Sequence, residues 1–167
     1  MKLPDIFGVE IITLSDRAYR GEYNDLSGPA IRKQLEEFFS EQQWKCTIKS
    51  SLIPDDAAML KGIIQPALLS ADLIFTTGGT GIGPRDITVE TVRPLLEKEI
   101  PGIMEFIRVK YGAEKPFALL SRGIAGIAGN ALIFTLPGSV KAVGEYMTEI
   151  LRTLKHTILM KYGIDTH

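Results

Sequence analysis

Two rhythms of apolar residues alternate along the chain. Short continuous runs rich in β-branched residues are followed by longer stretches in which apolar residues return every three or four positions. The first rhythm fits buried strands and the second amphipathic helices. VEIITLS (9–15), WKCTIKSSLI (44–53) and DLIFTT (72–77) read as strands. Residues 16–28 read as a loop, and Ile31, Leu35, Phe38 and Phe39 then fall at helical spacing. A helix is expected from Pro29, which suits a first turn, to Gln43. Another is expected from Pro54–Asp55–Asp56 to Ser70, with Asp55 as its N-cap and Met59, Leu60, Ile63, Ile64 and Leu68 on its apolar face. Pro66 should kink or shorten it. Helical patterns return over 88–98 and 101–112, the latter with Ile103, Phe106, Ile107 and Val109. Gly129–Asn130, between two short apolar runs, predicts a hairpin over 124–136. A last helix follows Pro137–Gly138, and its stripe of Val140, Val143, Met147, Ile150, Leu151, Leu154 and Ile158 reads as core packing.

Strands alternating with helices imply an α/β fold of three α/β/α layers, with a mostly parallel sheet and an antiparallel edge hairpin. No linker, repeat or low-complexity tract interrupts the chain, so residues 1–167 are expected to form one domain. Residues 123–140 carry no charge and approach the length of a membrane span. Gly123, Gly126, Gly129, Asn130, Pro137 and Gly138 make two buried strands the better reading, and no membrane partner is expected. The formal net charge of −1 gives no global attraction to nucleic acid. Cys46 is the only cysteine, so neither an internal disulfide nor a zinc cluster is expected, and a reducing, cytoplasmic setting fits. His156 and His167 read as surface groups.

Chemistry concentrates after the third strand, in TTGGTGIGPRD (76–86). Gly78, Gly79, Gly81 and Gly83 suggest a loop whose backbone another group approaches. In parallel sheets ligands bind beyond the carboxyl ends of the strands. That rule brings Ser15–Asp16–Arg17, Pro54–Asp55–Asp56 and the glycine loop with Arg85–Asp86 to one rim. Glycine-loop N–H groups attract phosphates, whereas carboxylates repel them unless a cation intervenes. Mg²⁺ held by one or two carboxylates and by phosphate oxygens reconciles the two. The P-loop pattern fails for want of a lysine, and the spacing of Gly79, Gly81 and Gly83 does not match the dinucleotide fingerprint.

LSDR (14–17), LIPDD (52–56), TTGGTGIGPRDITVE (76–90), PFALLSRGIAG (116–126) and LPGS (136–139), in this order, resemble the molybdopterin adenylyltransferase family of the MogA type. Its plant and animal homologues are G domains of larger proteins. The resemblance covers roughly Val9 to Leu159. It implies transfer of an adenylyl group from Mg-ATP to the terminal phosphate of molybdopterin, releasing pyrophosphate. It also implies a homotrimer and, as a downstream partner, a molybdenum-insertion enzyme.

Carried over residue by residue, the resemblance makes Asp55 and Asp86 the catalytic and metal-binding acids. It gives Thr77, Gly78, Gly79, Thr80 and Gly81 contacts to phosphate or nucleotide, and it sets Ser121 and Arg122 near the pterin, with Arg122 offering a planar fork to phosphate. Ala125–Gly126 and Pro137–Gly138–Ser139 match further ligand-lining turns, and the position of Ser15 and Asp16 on the rim suggests ligand contact. Asp56 stands where the family often has glutamate, and Ser139 where it often has asparagine. Simpler roles exist for single residues: a cap for Asp55, a cap or an ion pair with Arg85 for Asp86, a solvated charge for Arg122. The alternative to an enzyme is a non-catalytic module of the same fold that binds the pterin or docks a partner.

Overall fold

The computed structural model describes residues 2–164. In chain order the elements are β1 (Phe7–Leu14), α1 (Asp16–Tyr19), α2 (Ser27–Glu41), β2 (Cys46–Ile53), α3 (Ala57–Ala67), β3 (Leu73–Thr77), α4 (Thr88–Val92), β4 (Lys98–Glu99), α5 (Pro101–Gly112), β5 (Ala125–Ala128), β6 (Ala131–Leu136) and α6 (Val140–Lys161). Short 3₁₀ turns cover Arg93–Leu95 and Pro116–Leu120. The six strands form one sheet in the order β2-β1-β3-β6-β5-β4. The first four are mutually parallel, while β5 runs antiparallel to both β6 and β4.

Alternation along the central strands divides the core in two. Val9, Ile11, Leu73, Phe75, Leu132 and Phe134 pack against α2, α5 and α6, where Phe75 and Phe134 stack at 5.0 Å between centroids. Ile12, Leu14, Ile74 and Ile133 point the other way, onto Leu60 and Ile64 of α3 and Val89 and Val92 of α4. The expected three layers are therefore present. Most of the stripe on the last helix is core, with Val143, Met147, Ile150, Leu154 and Ile158 buried, but Val140 is exposed and Leu151 only partly buried. No helix among the described residues is long and apolar enough to cross a membrane, and the uncharged 123–140 stretch becomes β5 and β6.

Local expectations are corrected at four places. The 16–28 loop contains the single-turn α1, capped by Ser15 Oγ, which accepts from Ala18 N at 3.2 Å. The N-cap of α3 is Asp56, accepting from Met59 N at 2.8 Å, and Asp55 lies one residue outside it. That helix ends at Ala67, one residue past Pro66, rather than at Ser70. The 88–98 pattern is not one helix. Pro94 sits in the 3₁₀ turn after α4, and the chain then extends so that Lys98 and Glu99 pair with Ile127 and Gly126 as the edge strand β4. Cys46 is a partly buried residue of β2, and His156 is exposed on α6. His167 lies outside the described residues.

Candidate active site

The carboxyl ends of β1, β3 and β6 open onto a cleft of about 540 Å³, walled by Ser15, Asp55, the loop from Gly78 to Asp86, Phe117, Leu120, Ser121 and Pro137–Gly138. Close packing of backbone on backbone dictates the glycines. Gly78 and Gly79 have φ of 102° and 67°, a region that L side chains rarely adopt. A Cβ on Gly78 would lie 2.2 Å from Leu14 O, and one on Gly79 2.4 Å from Thr88 Oγ1. The loop is held from both sides. Gly78 N donates to Leu136 O at 3.0 Å, and Thr77 Oγ1 to Pro137 O at 2.7 Å. Thr88 Oγ1 donates to Gly78 O at 2.8 Å. The segment Gly78–Gly83 thus lines the cleft with its backbone held in a fixed shape.

Asp55 and Asp86, which follow different strands, line the cleft, whereas Asp16, expected to contact ligand, does not line it and is paired with Arg85. Asp55 and Asp16 exchange bonds: Asp16 N donates to Asp55 Oδ2 at 3.1 Å and Asp55 N to Asp16 Oδ1 at 3.0 Å. Arg85 grips Asp16 with Nε at 3.0 Å and Nη2 at 2.9 Å. The backbone bond from Asp55, helped by the Arg85 guanidinium, holds the Asp16 carboxyl below its usual range. Burial pushes the Asp55 carboxyl up, and the like charges of Asp16 and Asp86 add to the shift. Asp86 neither pairs with Arg85 nor caps α4. Its Oδ2 accepts from Gly83 N at 2.8 Å, and Oδ2 would lie 2.8 Å from a Cβ on Gly81. No group of three His, Cys, Asp or Glu side chains among the described residues is arranged as a metal cage. Two acids suit Mg²⁺, which keeps waters and takes substrate phosphate oxygens alongside one or two carboxylates. Among the described residues, Asp55 Oδ1 and Asp86 Oδ1 carry no protein hydrogen bond that would have to be broken for this.

Of the other residues singled out in the sequence, Ser15, Thr80, Ser121, Pro137 and Gly138 line the cleft. Thr77 is fully buried and acts beneath the loop. Ser139 caps α6, accepting from Ala142 N at 3.2 Å, and lines a neighbouring cavity. Arg122, Ala125 and Gly126 also depart from expectation. Arg122 has no free fork: its Nε donates to Gly81 O at 2.7 Å and its other nitrogens ion-pair with Glu90. It braces the glycine loop, and Glu90 holds its charge. Ala125 and Gly126 lie inside the sheet, with Ala125 buried and Gly126 pressed against Lys98 O. They pack β5 instead of lining a turn.

The sequence reading missed the neighbouring cavity, about 420 Å³, lined by Ile107, Arg108, Tyr111, Phe117, Ala118, Pro137, Ala142 and Tyr146. Phe117, Ser121 and Pro137 border both spaces, so the two adjoin. Its walls come from α5, the 116–120 turn and α6. Of its lining, the sequence reading had singled out only Ser121, Pro137 and Ser139 as ligand contacts, and it gave Tyr146, a hydroxyl-bearing residue among the apolar positions of α6, no ligand role.

A family model described as "Probable molybdopterin binding domain" matches residues 10–156. The chain is 39% identical over 154 residues to the molybdenum cofactor synthesis protein cinnamon of Drosophila melanogaster, covering 91% of this chain but 25% of that protein. It therefore spans only about a quarter of that relative's length. It is 36% identical over 163 residues to a molybdopterin adenylyltransferase of Pyrococcus furiosus, covering 92% of each. Among solved structures, the molybdopterin biosynthesis enzyme MoaB of Thermus thermophilus superposes with a TM-score of 0.82 at 38% identity, covering 94% of this chain and 97% of that one.

Proposed function

The chain belongs to the molybdopterin-binding domain family, and we propose that within it this protein is a molybdopterin adenylyltransferase of molybdenum cofactor biosynthesis. The observation that carries the reading is the cleft itself, in which the glycine-loop backbone and two acids from separate strands face one space. A phosphate-binding surface alone would need no acids, and a metal cage would need more of them. The combination suits a nucleotide whose charge is shared between amides and a divalent ion.

In this reading the phosphates of ATP lie along Gly78–Gly83, and the pterin occupies the adjoining cavity. Its walls of Ile107, Phe117, Ala118, Pro137 and Ala142 suit a planar ring. Phe117 and Ser121, on the border, bring the two substrates end to end. A terminal phosphate oxygen of molybdopterin attacks the α-phosphorus of ATP. The bond from that phosphorus to the bridging oxygen breaks, and pyrophosphate leaves with the electron pair. No protein nucleophile is required, so the chain's task is to position and to stabilise charge. Asp55 and Asp86 would hold Mg²⁺, which when bound supplies positive charge against the α-phosphate and the leaving pyrophosphate. Arg85 fixes Asp16, and Asp16 fixes the Asp55 backbone. Arg122 and Glu90 keep the loop from sagging into the cleft.

Residues 1–167 are taken as one functional domain, acting in the cytoplasm as a homotrimer that passes its product to a molybdenum-insertion enzyme. Family resemblance supports the assembly and the partner, and the lone thiol of Cys46 supports a reducing setting. Light scattering tests the trimer. Mass spectrometry of the pterin, after incubation with ATP in the presence and absence of Mg²⁺, tests the chemistry. Adenylylated molybdopterin and equimolar pyrophosphate are expected with Mg²⁺ only. Tight pterin binding with no adenylylated product, from folded protein, would establish a binding module instead.

A further inference from the structure

We propose that Tyr146 is a positioning residue for Ser121: its phenol fixes the serine hydroxyl so that the serine proton points at the ligand bound between the two cavities. The proposal rests on the adenylyltransferase reading for the identity of that ligand. Tyr146 stands on α6 with 4% of its surface exposed. Its hydroxyl donates to Ser121 Oγ at 3.0 Å. Burial favours the neutral phenol, so the donor keeps its proton at physiological pH. A serine hydroxyl has one proton and two lone pairs. Once Tyr146 takes a lone pair, the serine proton must turn elsewhere.

The surroundings leave that proton few destinations. The Ser121 backbone is clamped from the other side by Arg108 Nη1, which donates to Gly123 O at 3.0 Å and reaches Ser121 O at 3.5 Å. Among the described residues, the only other hydroxyl bonded to Ser121 Oγ is Thr80 Oγ1 at 3.5 Å, the outer limit of a hydrogen bond. A ligand phosphate or carbonyl oxygen on the cavity border is a better acceptor than Thr80 at that distance. Tyr146 therefore connects helix α6 to Ser121 on the cavity border without touching the ligand's reacting atoms. Its ring belongs to the core that α6 shares with α5 and the sheet, and phenylalanine would preserve that packing.

A double-mutant cycle tests this with wild type, Tyr146→Phe, Ser121→Ala and the double variant. Molybdopterin affinity is read by calorimetry, and steady-state adenylylation and thermal melts are recorded alongside. Tyr146→Phe should weaken pterin binding about fivefold, the size of one hydrogen bond, and raise the pterin KM to match while leaving kcat nearly unchanged. In the Ser121→Ala background the same change should have no further effect. Equal weakening in both backgrounds, or an affinity loss that follows a lowered melting temperature, overturns the proposal and makes Tyr146 a packing residue only. Wild-type protein that binds the pterin without adenylylating it removes the enzymatic reading but leaves the affinity cycle to decide Tyr146. Wild-type protein that binds no pterin overturns both.

Discussion

Asp72 and Asp55 are both aspartates at opposite ends of one sheet, and their surroundings separate a carboxylate whose two oxygens the protein occupies from one that it leaves partly open. Asp72 precedes β3 at the floor. Its Oδ2 accepts from Gly8 N at 2.8 Å, its Oδ1 accepts from the hydroxyl of Tyr162, and Lys161 Nζ approaches to 3.9 Å. Both oxygens are occupied by the protein, and the contacts join β1, β3 and the end of α6. Asp55 follows β2 at the rim. One of its oxygens accepts from Asp16 N, and the nearest cation, Arg85, is already bound to Asp16. Burial and two neighbouring acids raise its pKa. The floor acid is stabilised by what surrounds it, whereas the rim acid is left short of positive charge. In the proposed function that shortage is what a divalent cation would make good.

The strongest break in this comparison is removal of the rim charges. Asp55→Asn and Asp86→Asn are nearly isosteric, and each should lower adenylylation by about two orders of magnitude or more, the scale of roughly 3 kcal/mol for a lost preorganised electrostatic contact. Pterin affinity and melting temperature should hold, because neither side chain closes the fold. Pyrophosphate release with calorimetry reads the two effects separately. Full turnover in both variants would falsify the assignment of these acids.

The next test moves the same kind of change to the floor. Asp72→Ala strands Gly8 N and the Tyr162 hydroxyl, at a cost of about 2 kcal/mol. For a domain of this length that is a drop of roughly 6 °C in melting temperature. Turnover per folded molecule should equal wild type. An Asp72→Ala protein that melts normally but turns over slowly would erase the distinction between the two ends.

Why the sequence showed one end better than the other follows from the range of the interactions. The rim was legible because topology collects it. Once 9–15, 44–53 and 72–77 read as parallel strands, the segments after them must share an end, and the glycine crowding at 78–83 marks where. Asp72 gave no such sign, since its partners lie 64 and 90 residues away. The same limit explains the local misses. Choosing Asp55 over Asp56 as the cap was a one-residue matter decided by the reciprocal bonds between Asp55 and Asp16, 39 residues apart. Lys98 and Glu99 became a strand because β5 offered an edge, although their local pattern continued a helix. Arg122 looked available for phosphate because Glu90, which claims it, comes from α4. Tyr146 passed as core because burial conceals a hydroxyl whose partner lies on another element.

The smallest expected effect sharpens the floor side of the comparison and carries a pH signature. Tyr162→Phe removes the phenol from Asp72 and keeps the ring, which meets Phe7 edge-on at 6.5 Å between centroids. It should cost about 1 kcal/mol at neutral pH, one hydrogen bond to a charged acceptor partly offset by relief of burying a hydroxyl. Burial, the bond to Asp72 and the negative charge of Asp72 all raise the Tyr162 pKa above its ordinary value of 10.0. The folded state thus favours the protonated phenol more than the unfolded chain does. The stability it contributes is fully present below pH 10 and is lost as pH rises through the higher folded value. Lys161 lies beside both groups, and burial lowers its pKa, but it is present in wild type and variant alike and largely cancels in their difference. Denaturant melts of the pair from pH 7 to 11 should show a gap that is constant to about pH 10 and then narrows. The absence of a gap at every pH would mean that the Tyr162 hydroxyl is a bystander and that the bond from Gly8 N holds the floor acid without it.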